Sequence, residues 1–351
     1  MTGIASPTLT PRTAWDVMAQ ARIEVTPAYQ AFADKLPRRI RHVVGYHAGW
    51  WDLQGNPCAA TGKFLRPALT LATAAAASGG LPGRPGPDVV AAALAVQLVH
   101  DASIMHDDIM DHDLTRRHRP SAWSAFGPEL ALLAGDTLLT AAPGLFSGAR
   151  PTAGHRRASV LSQAIAELCA GQAMDLDVEQ RTAVPAADYL KMIELKTGAL
   201  MGCACELGAL AAGANAGQVK AARDFGRALG MAFQLVDDLL DIWGDPATTG
   251  KPQYSDIARH KKTLPIISTL QSPLPAARAF AHLLAAGQEL SHEDLERGAS
   301  AIEQAGGRAR TQAEADAATR RAMNLIMRIA ANEPAGDDLR QLAQLIVQRN
   351  H

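Results

Sequence analysis

Residues 88–111 read DVVAAALAVQLVHDASIMHDDIMD, a run of alanine, leucine and valine that ends in three aspartates. Alanine and leucine have high intrinsic helix propensity, so the run predicts one helix of about 24 residues and about 36 Å. Asp88, which follows Pro87, is a suitable N-cap for it. Residues 217–244, GQVKAARDFGRALGMAFQLVDDLLDIWG, predict a second long helix that stops at Gly244.

The rest of the chain indicates the same fold class. Further helix-length pieces rich in Ala, Leu, Val and Met recur, separated by Gly, Pro and Ser segments. Alternating β-branched segments joined by hairpin turns are nearly absent. We therefore predict an all-α protein, with residues 1–12 as a flexible tail that lacks apolar periodicity and residues 13–351 as one domain.

Composition excludes several classes of function. The 351 residues include 34 Lys plus Arg against 35 Asp plus Glu, so no general basic field attracts nucleic acid or an anionic membrane. No uncharged apolar stretch reaches the roughly 18 residues that a membrane span needs. The 4 cysteines show no CxxC pairing, which is typical of free thiols in a reducing compartment. We expect a cytoplasmic protein without a membrane span or a nucleic-acid partner.

The two long helices end in acidic clusters with the same DDxxD spacing. Residues four apart share one helix face, so each cluster directs two carboxylates the same way. A solvated helix end explains one such cluster, but both follow apolar sequence, and their mutual repulsion near a negative helix end opposes folding. This predicts a compensating cation, and hard oxygen ligands suit Mg²⁺. The clusters are Asp107, Asp108 and Asp111, and Asp237, Asp238 and Asp241.

Basic residues that suit a diphosphate lie beside both clusters. Arg binds phosphate oxygens as a planar fork and Lys binds them as a point charge. Each of these residues alone is more often an ordinary surface charge, and their position next to the aspartates is what indicates an anion site. They are Lys63 and Arg66, then Arg116 and Arg117 after the first cluster, and Lys251, Lys261 and Lys262 after the second.

Together these motifs resemble the trans-isoprenyl diphosphate synthases, also called the polyprenyl synthetase family, in consistent order from about residue 60 to 265. GKFLRP resembles the family's GKxxRP, and HDASIMHDDIMDHDLTRRHRP its first aspartate-rich motif with two arginines. FQLVDDLLDIWGDPATTGK resembles the second aspartate-rich motif, and SDIARHKKTLP the final lysine segment. Gly171, Gln172 and Asp175 resemble its GQxxD motif, and Lys196 and Thr197 its KT pair.

The resemblance implies specific roles for the residues around the allylic substrate. Several Mg²⁺ ions bridging its diphosphate would be held by Asp107, Asp108, Asp111, Asp237 and Asp238, with Asp241 as an outer member. Its oxygens would contact Arg116, Lys196 and Lys251. The reacting carbons would lie along Thr197, Gln234 and Gln172, and Lys261 would help to close the site.

The resemblance also implies the second substrate and the assembly. The diphosphate of isopentenyl diphosphate would be held by Lys63, Arg66, His100 and Arg117. The reaction would join this substrate to dimethylallyl, geranyl or farnesyl diphosphate. The implied fold is a single bundle of mostly antiparallel helices around a central active-site cavity, and the implied assembly is a homodimer.

Helix geometry predicts which side chains limit the length of the product. Side chains four and five positions before Asp107 lie about 6 to 7.5 Å deeper on nearly the same face, and these are the small Ser103 and Ala102. The next layer holds Val99 and Leu98, which are of intermediate bulk. We therefore predict geranylgeranyl diphosphate (C20) as the main product, with C25 as a minor one.

Other functions stay open at this stage. Within the same reaction, the alternatives are a farnesyl (C15) and a C25 diphosphate synthase. A class I terpene cyclase shares the first aspartate cluster, but it has no reason to keep the second cluster or the Lys63, Arg66 and His100 set. A non-catalytic subunit of a heteromeric synthase can dispense with its metal ligands, and here all six aspartates are present.

Overall fold

The computed structural model describes residues 12–58, 62–79, 84–148, 150–249, 252–285, 290–332 and 334–348. These ranges are almost entirely helical, which confirms the predicted all-α fold. The helices are α1 (Ala14–Ala33), α2 (Arg38–Ala48), α3 (Leu65–Ser78), α4 (Pro87–Met110), α5 (Ala122–Phe126), α6 (Pro128–Ala141), α7 (Pro151–Gln180), α8 (Ala186–Ile193), α9 (Ala199–Ala211), α10 (Ala216–Trp243), α11 (Pro246–Thr249), α12 (Ser255–Ala258), α13 (Leu264–Leu270), α14 (Pro275–Ala285), α15 (His292–Gln304), α16 (Gly307–Ile329) and α17 (Asp337–Gln348).

Short irregular elements complete the described chain. Two-residue strands, Thr115–Arg116 and Arg119–Pro120, pair with each other in antiparallel orientation just after α4. Single turns of 3₁₀-helix cover Ala142–Phe146 and Pro334–Gly336. Residues 1–11 of the predicted tail lie outside the described ranges, whereas Arg12 donates a hydrogen bond to Asp338 at 3.2 Å. The assignment of residues 13–351 to one domain stays a prediction.

Helix α4 begins one residue earlier than expected. Gly86 is its N-cap and Pro87 occupies the first helical position, so the prediction of Asp88 as the N-cap is wrong. Proline suits this position because its fixed φ is helical and its missing N–H would have no intrahelical acceptor there. Asp88 lies in the first turn instead and accepts a hydrogen bond from Arg157 of α7 at 2.9 Å.

Helix α10 matches its prediction to within one residue at its start. Asn215 caps it by accepting from the Gln218 backbone N–H, and the Gln218 side chain accepts from the Asn215 backbone N–H in return. This reciprocal capping box satisfies two backbone donors at the helix start. Gly244 is the C-cap, as the sequence predicts.

Glycines let α9 and α10 pack at very short range. A Cβ atom on Gly230 would lie 2.7 Å from the Cα of Gly198, and one on Gly226 would lie 2.3 Å from the carbonyl oxygen of Met201. Side chains larger than hydrogen therefore do not fit at either position. This close approach brings the segment before α9 against the middle of α10.

The segment that connects α8 to α9 is a turn of π-helix, Glu194–Gly198. Such wide turns inside helices are rare and frequently lie at functional sites. This one carries Lys196 and Thr197, and Thr197 is buried. The wider turn thus directs the KT pair toward α7 and α10.

Two segments are long and apolar enough to cross a membrane by length and composition, Pro87–Met110 and Pro128–Phe146. In α4, 61% of the most apolar 18-residue stretch is buried inside the fold. Its residues Leu94, Val96 and Leu98 belong to the main hydrophobic core together with side chains of α1, α3, α6 and α9. The apolar character of α4 is therefore explained by its central position among the other helices.

Candidate active site

The carboxyl ends of α4 and α10 meet at one cavity of about 930 Å³. From α4 it is lined by Asp107 and Asp111, and from α10 by Asp237, Asp238 and Asp241. Two clusters that are 130 residues apart in sequence (237 − 107) therefore share one cavity. This is the arrangement that a bridging cation requires.

Within the first cluster, the helix periodicity separates the three aspartates. Asp107 and Asp111 are one turn apart and line the cavity, whereas Asp108 is fully buried outside its lining. Arg116 donates to Oδ1 of Asp108 through Nε, at 2.9 Å, and through Nη2. Burial, with further repulsion from Asp111, raises the pKa of Asp107 to about 6. Within this cluster, Asp108 is thus held by charge pairing with Arg116.

Lys196 reaches the first cluster from the π-turn. Its Nζ donates to Oδ2 of Asp175 at 2.6 Å. Burial alone would lower the pKa of Lys196, but Asp175 and Asp107 raise it above its usual value, so Lys196 stays charged. A Cβ on Gly171 would lie 2.3 Å from the backbone N of Lys196, so α7 and the π-turn are in direct contact. Gly171 and Asp175 of the GQxxD motif and Lys196 of the KT pair are therefore brought together here.

In the second cluster, neutral donors hold Asp238. Asp238 is buried and accepts from Oη of Tyr189 at 2.6 Å and from Nε2 of Gln234 at 3.1 Å. Oγ1 of Thr197 donates to Oε1 of Gln234 at 3.2 Å, which extends the chain of hydrogen bonds to the π-turn. Burial, with repulsion from Asp256, raises the pKa of Asp238 well above its usual value. The predicted residues Thr197, Gln234 and Asp238 therefore form one network.

Two residues of this wall were missed by the sequence analysis. Tyr189 contacts Asp238 directly, and Asp256 lies buried in the cavity wall close enough to raise the pKa of that carboxyl. Tyr189 lies seven residues before Lys196, about two helical turns, which is a weak signal. Asp256 lies inside the lysine segment SDIARHKKTLP, where an acid among cations reads as an ordinary surface charge.

The carboxylates fit a divalent cation. In the described ranges, no three His, Cys, Asp or Glu side chains converge closely enough to form a closed metal site. Mg²⁺ binds through one or two carboxylates and completes its shell with water and substrate phosphates, so an open arrangement suits it. The raised pKa values of Asp107 and Asp238 show that the fold opposes their charges, which a cation would offset.

A second group of polar residues lies beside this cavity. Nη1 of Arg66 donates to Nε2 of His100 at 3.2 Å. Burial lowers the pKa of Arg66 to about 10 and, together with Arg66, lowers that of His100 well below its usual value. His100 is therefore neutral and accepts from Arg66. Arg117 lines the cavity, and Lys63 has its Nζ over the Trp15 ring at 5.9 Å.

Beneath this second group lies a buried acid that the sequence analysis did not select. Asp101 accepts from Tyr29 and from Gln97, both at 2.9 Å, and Nε2 of His47 lies 3.6 Å away. Burial alone would raise its pKa, but the contact with His47 and the charge of Arg117 lower it to about 2. Asp101 is thus a fixed negative charge that balances the buried cations around it.

The other predicted residues have mixed placements. Gln172 is buried, and neither atom of its amide has a hydrogen-bond partner in the described part of the chain. Lys261 lines the cavity, whereas Lys251 lies outside the described residues. The roles given to these side chains stay predictions.

The chain-length positions lie deep in α4. Side chains of Ala102, Val99 and Leu98 are fully buried in the core, and Oγ of Ser103 donates to the His100 carbonyl at 2.9 Å. The cavity wall on α4 ends at Ile104, one residue short of Ser103. The predicted effect of these positions on product length stays a prediction.

Comparison with known proteins assigns the family. The model of the polyprenyl synthetase family matches residues 55–303. This chain belongs to that family, and it is a trans-prenyltransferase. The (2E,6E)-farnesyl diphosphate synthase of Mycobacterium tuberculosis is 40% identical over 337 residues, covering 95% of this chain and 92% of that protein. The geranylgeranyl diphosphate synthase of the same organism is 39% identical over 335 residues, covering 95% and 93%.

Solved structures agree with this assignment. The polyprenyl synthetase of Streptomyces coelicolor A3(2) superposes with a TM-score of 0.88 at 36% identity, covering 94% of this chain and 98% of that one. The geranylgeranyl pyrophosphate synthase of Corynebacterium glutamicum, solved with calcium and isoprenyl diphosphate, gives a TM-score of 0.78 at 27% identity, covering 99% of each chain. The relatives thus include synthases of more than one product length.

Proposed function

We propose that this prenyltransferase condenses an allylic diphosphate with isopentenyl diphosphate in the presence of Mg²⁺, and that its main product is geranylgeranyl diphosphate. The observation that carries the proposal is the single cavity lined by both aspartate clusters and by the basic residues Arg116, Lys196 and Arg117. A diphosphate with its metal ions is the ligand that matches opposed acids flanked by cations. Calcium and isoprenyl diphosphate in the C. glutamicum structure support this ligand class.

Ionisation of the allylic substrate would begin with its leaving group. When bound, Mg²⁺ spreads the charge of the departing diphosphate. Asp107, Asp111 and Asp237 would hold the metal, while Lys196 and Arg116 would donate hydrogen bonds to the diphosphate oxygens. The wall also includes apolar side chains of α4 and α8, such as Ile104 and Ile193. These would exclude water from the allylic cation.

The second substrate would bind at Lys63, Arg66, His100 and Arg117. In this position its double bond would attack the allylic carbon and form the new C–C bond. The tertiary cation left behind would then lose a proton from the neighbouring carbon, whose C–H electrons form the new double bond. The sequence offers no dedicated base, and the released diphosphate is the usual acceptor in this family. Thr197 and Gln234 would line the reacting carbons, held by the hydrogen bonds that link them to Asp238.

The C20 product rests on the small side chains of Ala102 and Ser103. A second candidate, the C15 product, is favoured by the cavity wall that ends at Ile104. The deciding experiment supplies dimethylallyl, geranyl or farnesyl diphosphate, each with isopentenyl diphosphate and Mg²⁺, and identifies products by mass spectrometry. We expect C20 from all three primers. Farnesyl diphosphate as the final product would overturn the C20 proposal.

A substitution tests the geometry behind the C20 product. The Ala102→Phe change places a large ring about one and a half turns below Asp107, so it should shorten the product toward C15. The matched control is Ala91→Phe, near the far end of the same helix, which should leave the ratio of products unchanged. Equal C20 fractions in the wild type and Ala102→Phe would show that chain growth does not pass this position.

Assembly and location are further parts of the proposal. Leu132 and Leu133 of α6 are 48% and 52% exposed, and such adjacent apolar side chains support a homodimer interface on this helix. Light scattering of the purified protein should give the mass of a dimer. We also propose a cytoplasmic location, since the substrates are water-soluble diphosphates and the cysteines indicate a reducing compartment.

One assay separates this proposal from its rivals. The protein is incubated with a C15 or C20 allylic diphosphate alone, and then with isopentenyl diphosphate added. We expect no product until the second substrate is present. Hydrocarbon release from the allylic diphosphate alone would indicate a terpene cyclase, and a pure protein that only accelerates a partner would indicate a regulatory subunit.

A further inference from the structure

The segment of residues 252–263, here named the lysine strap, connects the end of α10 to α13 and contains α12. Lys261 lies in this strap and lines the active-site cavity, as do Arg259 and Lys262. Two neighbours in the strap, Arg259 and Lys262, make contacts with other parts of the fold. The catalytic consequence of those contacts rests on the proposed function.

The first contact joins two residues that line the cavity. Nη2 of Arg259 donates to Oδ1 of Asp113 at 3.1 Å. Asp113 follows the first aspartate cluster by two residues, and its Oδ2 accepts from Nη2 of Arg116 at 3.2 Å. A single carboxylate therefore joins the lysine strap to the arginine that holds Asp108.

The second contact ties the strap to α7. Nζ of Lys262 donates to the carbonyl oxygens of Val178 and Glu179 at 3.0 and 2.7 Å. Both carbonyls belong to the last turn of α7, where no further helical N–H is available to them. A cation at this end also interacts favourably with the helix dipole. Lys262, which also lines the active-site cavity, is thus held by the end of α7.

The backbone between these contacts is tightly turned. His260 has φ +52°, in the left-handed region, and the backbone N of Lys261 donates to the carbonyl oxygen of Asp256 at 2.9 Å. Lys261 therefore lies between Arg259, which is held by Asp113, and Lys262, which is held by the end of α7. Its position in the cavity wall follows from where those two neighbours are held.

We propose that Arg259, through Asp113, and Lys262, through the carboxyl end of α7, are positioning residues that hold Lys261 in the wall of the active-site cavity. Arg259 is 53% exposed and Asp113 is 28% exposed, so their pair is screened by solvent. Exposed pairs contribute little to global stability, and the expected effect is therefore local. Loss of a contact should open the lysine strap more often without changing the unfolding temperature appreciably.

Hydrogen–deuterium exchange of residues 252–263 in the full-length, metal-free protein tests this directly. Arg259→Gln and Lys262→Met should each make the strap amides exchange about two- to fivefold faster. Lys261→Met is the matched control at the residue between them. Its strap amides should exchange at the wild-type rate, whereas its kcat/KM should fall further than in either of the other two variants. Arg297→Gln, which breaks an exposed pair with Asp294 on α15, is the control outside the site.

A double-mutant cycle tests the pairing of Arg259 with Asp113. Asp113→Asn also releases Arg116, so the informative quantity is the effect of Arg259→Gln measured in both backgrounds. The exchange should accelerate in the wild-type background and change little in the Asp113→Asn background. Equal acceleration in both backgrounds would overturn the pairing.

The outcomes separate positioning from direct substrate binding. If Arg259 were itself a diphosphate ligand, Arg259→Gln would raise the KM without changing the exchange of the strap, and the inference would be wrong. Unchanged exchange in Lys262→Met would overturn the contact with α7 in the same way. A wild-type protein that fails to condense the two substrates would instead overturn the proposed function, whatever the exchange data show.

Discussion

The two aspartate clusters have the same spacing, but their buried members Asp108 and Asp238 are held in different ways. In the first cluster, cations surround the acids: Arg116 pairs with Asp108, and Lys196 lies near Asp107. In the second, Asp238 accepts from the neutral donors Tyr189 and Gln234. A carboxylate paired with a cation depends on salt and on the metal charge, whereas a carboxylate held by neutral donors depends on the exact donors. The DDxxD motif therefore predicts that both walls of the cavity are acidic, but it does not predict which neighbouring side chains hold the acids in place.

The largest effect is expected from the acids that face the cavity. Asp107→Asn and Asp237→Asn should each lower kcat/KM by about 10²- to 10³-fold, because each removes part of the charge that holds the leaving diphosphate. Steady-state kinetics with saturating Mg²⁺ measure this effect. Asp34→Asn, at an exposed pair with Arg41, is the control and should leave kcat/KM unchanged. A large loss from only one of the two variants would mean that one cluster suffices.

A smaller effect is expected from the supports of the clusters. Tyr189→Phe removes the hydroxyl that donates to Asp238 and should weaken Mg²⁺-dependent binding of pyrophosphate by about 10- to 100-fold. Arg116→Lys keeps the charge beside Asp108 but loses the two-pronged contact, and its defect should grow with added salt. Titration calorimetry at low and high salt measures both. Equal salt dependence in the two variants would remove the distinction between the clusters.

The smallest effect concerns stability and pH. Burial raises the pKa of Asp107 to about 6, above its value of 3.8 in the unfolded chain. Between these values the native state binds more protons, so this group lowers the stability of the metal-free protein as pH rises from 4 to 7. Asp107→Asn should therefore unfold at the wild-type temperature at pH 4 and be more stable at pH 7.5, by roughly 1 to 3 kcal/mol. Thermal and urea unfolding across this range measure the difference, and parallel pH profiles would contradict it.

The sequence predicted the helices and the cavity-facing acids because both follow from local periodicity. Asp107 and Asp111 share a face since they are four residues apart, and the structure places both in the cavity wall. The N-cap of α4 was wrongly assigned because Asp88 has a capping side chain, whereas the rigid φ of Pro87 decided where the helix begins. Helix periodicity and capping preferences were therefore sufficient wherever no residue such as proline also constrained the backbone.

The supports of the site could not be predicted, because they join distant parts of the chain. Tyr189 and Asp238 are 49 residues apart, and Arg259 and Asp113 are 146 apart. No pattern in one segment specifies such a partner, since it depends on how closely the helices pack. The close approach of the π-turn and α10 at Gly198 and Gly230 shows how strongly one contact of this kind fixes the site.

The central claim is that both clusters act on one diphosphate through divalent metal. Its most direct test is calorimetric binding of inorganic pyrophosphate to the wild type, Asp107→Asn and Asp237→Asn, with and without Mg²⁺. We predict tight binding by the wild type only when Mg²⁺ is present, and a large loss of affinity in either variant. Equally tight binding without Mg²⁺, or undiminished binding in one of the two variants, would contradict the account.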